Sequence, residues 1–392
     1  MKEVRKILDK QIELIKPNKE DIDKIKNIEK LFLDKLRLNI KKNKIKAEPF
    51  LGGSLAKNTL VKTGIYDLDI FIRFDRSHDS KKISSLLSKV VPKDAKKIHG
   101  SRDYFNLRNG NIILEIIPVL RIDKPEQAMN VTDLSYFHVN YILNNIEKNK
   151  KLADEIRLAK AFAHAQNSYG AESYIKGFSG YSLELLIIYY KSFLRFIKEI
   201  AKLDIKKDKL IIDSGNHYKS KSAVLKELNK SKSISPIILI DPTFKERNAL
   251  SGLSKDTLLK FKKSCKDFLE NPSSSFFDRR LVSEEFKKNK NVKIIEVVTN
   301  KQPGDIAGTK SRKFFNFFLS RLKKEFSVKK SGFEYIEEDN MARFYIIVGK
   351  KKSTLVKGPP INSVNNLTKF KRIHKKAFVE KGHAYVRLEH NL

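Results

Sequence analysis

The sequence predicts a multidomain chain of mixed α/β (α+β) class, on three observations. A length of 392 residues is enough for two to four domains, and 40% hydrophobic residues suffice to build cores despite the high charge. Apolar residues repeat at helical spacing up to about residue 44, change to strand-like runs between 48 and 122, and return to helical spacing after 133. Residues 293–350 then read strand, helix, strand, strand, the order of a small ferredoxin-like sandwich. These changes divide the chain into residues 1–140, 141–272 and 273–392.

Residues 1–16 and 19–44 read as two helices broken at Pro17, with Asn18 as N-cap and Asp21 three residues on. The second helix carries Ile22, Ile25, Ile28, Phe32 and Leu36 on one stripe. "DLDIFIRF" and "NIILEIIPVLRI" are the strongest strands, separated by a Ser/Lys-rich helix near 79–91 and a turn at Asn109-Gly110. "LADEIRLAKAFAHAQ" is a helix, and "SGYSLELLIIYYKSFLRFIKEIA" reads as one long buried helix. Lys-rich residues 203–235 read as a solvated connector with a short strand, residues 254–270 as a helix, and "NPSSSFF" as a linker. The last stretch, 358–392, is basic and loop-rich with one strand at "AYVRLE".

The balance of 81 Lys+Arg against 46 Asp+Glu gives a net charge of +35. Such an excess points to a polyanionic partner, with nucleic acid the usual one. A composition rich in Lys, Ile and Asn gives the same basic surface, so charge alone does not decide. One cysteine, Cys265, excludes an intrachain disulfide, and no Cys/His cluster has zinc spacing. The start, "MKEVRKILDKQIELIKP", is charged throughout and lacks the apolar core of a signal peptide. No run of about 18 apolar residues follows, so a soluble cytoplasmic protein is expected, with no membrane partner.

Asp67 and Asp69 lie two apart in a strand and so project from the same side. Like charges this close raise each other's pKa unless a cation sits between them. A third acid, Glu115, interrupts "NIILEIIPVL", where a lone buried carboxylate costs several kcal/mol unless paired. If the two strands are neighbours, the three acids can meet at one point. Converging carboxylate oxygens, with a triphosphate, are what Mg2+ takes, and two such metals serve in-line phosphoryl transfer. The plainer alternatives are a half-buried D-x-D strand and a surface acid on an edge strand. Just upstream, Gly52-Gly53-Ser54 forms a turn whose N–H groups and hydroxyl can hold phosphate oxygens, with Lys57 three residues beyond.

"GGSLAKNTLVKTGIYDLDIFI", followed by a strand with a third acid, resembles the signature of the DNA polymerase β-type nucleotidyltransferases. The wider chain resembles the archaeal (class I) CCA-adding enzymes, which build the CCA end of tRNA. "TDLSYFHVNYI", "EIRLAKAFAHAQNSYGAESYIKGFSGYSLELLI" and "DPTFKERNALSGLS" follow in family order, and the match continues through the β-α-β-β module to about residue 390. The acid core is shared by many nucleotidyltransferases, whereas "YGAESYIKGFSGYSLELL" is far more specific; the first 47 residues match less well.

This resemblance implies a polymerase-β-like head over 1–140, a helical central domain over 141–272, and a ferredoxin-like, RNA-binding body with a short C-terminal tail over 273–392. It implies template-independent addition and repair of the tRNA 3′ CCA from CTP and ATP, and it allows a homodimer. The tRNA is engaged at its acceptor stem and 3′ end, and Mg2+ occupies a two-metal site, with Mn2+ as its substitute. By resemblance, Asp67, Asp69 and Glu115 hold the metals, and Ser54 and Lys57 hold the triphosphate. His138, Lys160 and Tyr169 match the remaining nucleotide contacts. Arg247 matches an arginine used against the base edge, where a guanidinium can donate to cytosine O2 and N3 or to adenine N1.

Each of these residues also has an ordinary role open to it: a core histidine, a solvated lysine, a packing tyrosine. A poly(A) or oligoadenylate polymerase and a non-catalytic RNA-binding relative stay open as alternatives. The chain departs from the family in three places. Glu115 stands where Asp is usual, and Lys57 where Arg is common, replacing a bidentate contact with a point charge. Relatives also run on past the point matching "RLEHNL", so the resemblance does not carry over their grip on the tRNA elbow.

Overall fold

Pro17 cannot continue a helix, and it separates two. In the computed structural model, helix α1 spans Lys2–Ile15 and α2 spans Lys19–Lys42, with the Asn18 side chain accepting the Asp21 N–H as N-cap. The structure describes residues 2–205, 208–279, 281–287, 289–299, 302, 304–351 and 353–389. They form two compact units, Met1–Arg280 and Leu281–Leu392.

In the first unit, strand β1 (Ala47–Leu51), the one-turn helix α3 (Gly53–Ala56) and strand β2 (Tyr66–Phe74) follow α2. Helix α4 (Ile83–Leu87) and strands β3 (Lys96–Ile98), β4 (Tyr104–Asn109) and β5 (Ile112–Leu120) complete a five-stranded sheet of order β1-β2-β5-β4-β3. Alternate residues of β2 and β5, among them Leu68, Ile70, Leu114 and Ile116, face Phe32, Leu33 and Leu36 of α2 and form one core. The opposite face of the same strands carries Asp67, Asp69 and Glu115 beside apolar Phe71, Ile113 and Ile117. The helix expected over 79–91 is only five residues long. Asp75 and Asp79 turn back to accept the N–H groups of Ser77 and Lys81, which competes with helix at its start, and Pro92 disfavours helix at its end.

Helices α5 (Ser135–Lys148), α6 (Lys151–Ala165), α7 (Gly180–Tyr190) and α8 (Phe193–Lys202) follow. The single helix expected over 179–201 is therefore two. Lys191 takes left-handed backbone at φ 64°, the Ser192 hydroxyl caps α8, and buried Glu155 accepts the Phe193 N–H at 2.8 Å. Strand β6 (Leu210–Ile212) is the short strand expected in the Lys-rich stretch, which also holds helix α9 (Lys221–Glu227) with its Ser220 cap. Strands β7 (Ile237–Asp241) and β8 (Phe244–Asn248) pair antiparallel, and helix α10 (Lys255–Glu270) starts at Ser254. "NPSSSFF" is no linker: its two phenylalanines, Phe276 and Phe277, enter the core formed by α1, α6, α7, α8 and α10. Aromatic rings bury too much apolar surface to stay in a solvated connector.

In the second unit, β9 (Lys293–Val298), α11 (Gly304–Glu325), β10 (Phe326–Ile336) and β11 (Met341–Lys350) make the expected β-α-β-β module, with β11 antiparallel between β10 and β9. The tail is more regular than its composition suggested. Strand β12 (Ser353–Pro360), helix α12 (Val364–Ile373), β13 (Phe378–Glu380) and β14 (His383–Glu389) form a sheet of order β12-β14-β13. Among the described residues no helix is long and apolar enough to cross a membrane.

Candidate active site

Strands β2 and β5 are parallel neighbours, and their register sets Asp69 directly opposite Glu115. Alternation then brings Asp67, Asp69 and Glu115 to one face of the sheet, away from the buried Leu68 and Leu114. Asp67 is the most exposed of the three. The protein around its carboxyl raises the Asp67 pKa, and so does the charge of Asp69. Burial also raises Asp69, while Lys57 and Lys160 pull it down. Asn106 of β4 lies across from Glu115 in the same row, and its buried amide oxygen has no hydrogen-bond partner among the described residues. These are hard oxygen donors of the type a divalent cation takes. Among the described residues, however, no three His, Cys, Asp or Glu side chains are gathered closely enough to hold a metal ion as they stand. The acids share a row and a face rather than a common centre, as expected of like charges that do not close on one another unaided.

The glycine turn lies against these acids. The Gly52 N–H donates to the Asp69 carbonyl at 2.8 Å, and Gly53 has φ +62°. A Cβ on Gly53 would stand 1.7 Å from Asp69 Oδ2, so only glycine lets the backbone pass so close. Ser54, half-buried, follows in α3.

Behind the turn sits a buried ion network. Lys57 Nζ donates to Glu184 Oε2 at 2.7 Å, and Lys160 Nζ donates to Glu184 Oε1 at 2.8 Å and to the Thr59 hydroxyl at 2.9 Å. Thr59 Oγ1 in turn donates to Glu184 Oε1 at 3.1 Å. Glu184 has no exposed surface. Burial opposes its charge, but the two ammonium groups outweigh that and hold its pKa at about 2. Burial lowers the Lys160 pKa, with Glu184 resisting. Arg157 ties the same loop to α6, donating to the carbonyls of Leu60 and Asn58 at 2.9 and 2.7 Å. Tyr169 stacks on His164 at 4.7 Å and comes close to Gly180. Burial, then the charges of Glu184 and Asp69, push its phenol well above the ordinary range.

A second buried carboxylate, Asp241, gathers the other two expected residues. His138 Nε2 lies 2.9 Å from Asp241 Oδ2, and Arg247 Nη1 donates to the same oxygen at 2.8 Å. Burial lowers the His138 pKa against the pull of Asp241, and Lys57 is among the charges His138 feels. All nine expected residues thus lie in the first unit. Asp69 feels Lys57 and Lys160, and His138 feels Lys57, so the acids, the lysines and the Asp241 group are electrostatic neighbours.

Sequence reasoning missed Glu184, Asp241, Thr59, Tyr181 and Arg157. The two acids carried a usable signal: Glu184 interrupts the apolar run "SLELLII", the pattern that singled out Glu115, and Asp241 closes the apolar strand "IILID".

Residues 154–278 match the family described as tRNA nucleotidyltransferase, second domain. The chain is 39% identical over 241 residues to the CCA-adding enzyme of Nanoarchaeum equitans, covering 61% of this chain and 58% of that relative, somewhat over half its length. It is 30% identical over 395 residues to the CCA-adding enzyme of Methanocaldococcus jannaschii, covering 96% of this chain and 85% of the relative. Among solved structures, the Cid1 poly(U) polymerase has a TM-score of 0.56 at 14% identity, over 71% of this chain and 99% of that one. A cytoplasmic RNA terminal U-transferase has a TM-score of 0.55 at 14% identity, over 72% and 100%. At such identity these two share the fold.

Proposed function

Because the chain belongs to the CCA-adding enzyme family, we propose that it adds and repairs the 3′-terminal CCA of tRNA in the cytoplasm, transferring CMP and AMP from CTP and ATP without a template. The observation that carries this is the single row in which Asp69 faces Glu115, beside a glycine turn that touches Asp69. Asp67, Asp69 and Glu115 would hold divalent cations, Mg2+ with Mn2+ as substitute. When bound, these cations neutralise the triphosphate and lower the pKa of the tRNA 3′-hydroxyl.

The chain's own residues do the rest. Gly53 leaves room for phosphate oxygens beside Asp69, and Ser54 offers a hydroxyl there. Lys57 and Lys160 share one carboxylate, Glu184, so the group keeps a surplus of positive charge that faces Asp69 and draws the triphosphate. Tyr169 supplies a phenol that stays protonated, since its pKa is raised, and can donate to ribose or phosphate. His138 and Arg247 complete the pocket on the base side. The net charge of +35 suits the tRNA backbone. We assign residues 1–140 to the catalytic head, 141–272 to the domain completing the pocket, and 273–392 to RNA binding.

The test is incorporation of labelled CTP and ATP into a tRNA minihelix lacking CCA. We expect CMP addition with CTP alone and AMP addition once CC is in place. Use of ATP with indifference to CTP would point instead to a poly(A)-type polymerase, and no incorporation to a non-catalytic relative.

A further inference from the structure

Asp241 ends β7 with none of its surface exposed, and donors converge on both its oxygens. Oδ1 accepts from the Tyr181 hydroxyl at 3.0 Å, the Thr243 N–H at 2.9 Å and the Thr243 hydroxyl at 2.8 Å. Oδ2 accepts from Arg247 Nη1 at 2.8 Å and has His138 Nε2 at 2.9 Å. Four hydrogen bonds thus reach a carboxylate that offers about four lone-pair sites, and the His138 ring packs against the oxygen that Arg247 holds. The His138 ring stacks on the Tyr181 ring at 4.1 Å and 28°, and the Arg247 guanidinium lies 5.4 Å from the same ring's centroid. Side-chain exposure rises outward, from 0% at Asp241 to 12% at His138 and 23% at Arg247. Arg247 is therefore the more exposed of the two cationic partners, and Asp241 is the post to which it is tied.

We propose that Asp241 is the positioning residue for base selection, holding Arg247 as a fixed donor while keeping its own acceptor oxygens from the incoming base. This rests on the assignment of the pocket to CTP and ATP. Cytosine and adenine both present an unprotonated ring nitrogen beside an exocyclic amine, whereas uracil and guanine carry an N–H at that ring position. A guanidinium has donors and no acceptor. Aimed at the ring nitrogen, it favours cytosine and adenine and leaves uracil and guanine facing it donor to donor. An unsaturated carboxylate in the same place would favour the opposite pair.

The decisive variant is Asp241→Asn, which keeps the volume and the acceptor facing Tyr181 and Thr243 but turns an amide donor toward Arg247 or its neighbours. With the tRNA minihelix, we expect kcat/KM for UTP relative to CTP to rise about ten-fold or more. A raised KM for CTP should carry this, with kcat within a few-fold of wild type and minihelix affinity unchanged. In an Arg247→Ala background, Asp241→Asn should alter the ratio less than about two-fold, since the two residues act as one unit. An unchanged UTP:CTP ratio in Asp241→Asn, or independent additive effects in the double variant, overturns the proposal. Should melting show that Asp241→Asn does not fold, Asp241→Glu keeps the charge but moves it by one methylene, and the same loss of selectivity is expected; wild-type selectivity there overturns the proposal. Wild-type protein adding neither CMP nor AMP removes the function assignment and this inference with it, whereas active wild type with an unaltered variant removes the inference alone.

Discussion

Asp69 and Glu115 stand directly opposite each other across the parallel β2–β5 pair. Adjacent strands run about 4.8 Å apart, so two carboxylates from separate strands are held within reach of a shared ligand by backbone hydrogen bonds alone. Asp67 is one pleat along on the same face, and Asn106 extends the row on the far side of Glu115.

Glu115 should be indispensable to turnover and dispensable to folding. We expect Glu115→Ala and Glu115→Gln to cut single-turnover CMP addition by several orders of magnitude with little change in melting temperature. Glu115→Asp shortens the arm by one C–C bond, roughly 1.5 Å of reach, and Mg2+ tolerates little misplacement; its activity should recover more with Mn2+ than that of the other two. Near wild-type addition by Glu115→Ala would remove Glu115 from the site.

Asp67→Asn should abolish nucleotide addition yet leave the metal-free protein at least as stable as wild type. The Asp67 carboxyl titrates upward through its surroundings and the Asp69 charge, so neutralising it relieves repulsion. Because the residue is exposed, the gain should stay below about 1 kcal/mol. Thermal melting in a chelator reads the effect, and a clear loss of stability would contradict it.

Gly53→Ala tests the close approach of turn and acid. The added methyl would have to occupy space held by Asp69 Oδ2, at a residue with φ +62°, and left-handed backbone adds roughly 1–2 kcal/mol of strain. We expect a large fall in kcat/KM for CTP from so small a group. Gly64→Ala is the control: it too has positive φ, but nothing lies within 4 Å of its Cβ position. It should keep activity while showing the backbone strain, and equal losses in the two variants would attribute the effect to backbone alone.

Glu184→Gln should destabilise the protein by about 3–5 kcal/mol, since it leaves two buried ammonium groups facing a neutral amide. The pH dependence has a definite sign. Glu184 titrates at about 2 in the fold against an ordinary 4.5, so its linkage contribution is complete above pH 4.5 and is lost as the pH falls toward 2. Denaturation curves across that window should separate wild type from variant above pH 4.5 and converge below it; a constant difference down to pH 2 would rule out the depressed carboxyl.

Much of the acid row could be read in advance, because a strand's two-residue period fixes which side chains share a face. Parallel pairing of β2 with β5 could only be supposed, since it depends on contacts distant in sequence. The roles of Lys57 and Lys160 were legible only as surface charge or phosphate ligands; that both are bound to Glu184 is a tertiary fact. The break between α7 and α8 was missed because Lys191 and Ser192 interrupt no apolar stripe, and it is Glu155, from another helix, that caps Phe193. The phenylalanines at 276 and 277 sat behind a run of serines whose turn chemistry suggested a linker, and burial of the rings prevailed.

The place of α1 bears on how the protein is made. Leu8 and Ile15 belong to the core of the later helices, Ile15 accepts the Lys62 N–H at 2.7 Å, and Arg5 pairs with Glu155, 150 residues on. The core beneath the five-stranded sheet draws on α2 and can close without α1. During synthesis at about 5–20 residues per second, α1 therefore waits on the order of ten seconds before its partners emerge. An isolated helix of its 14 residues is marginal in water. Helix α1 is thus made well before the helices that shelter it, and until they emerge its apolar face is open to chaperones and proteases.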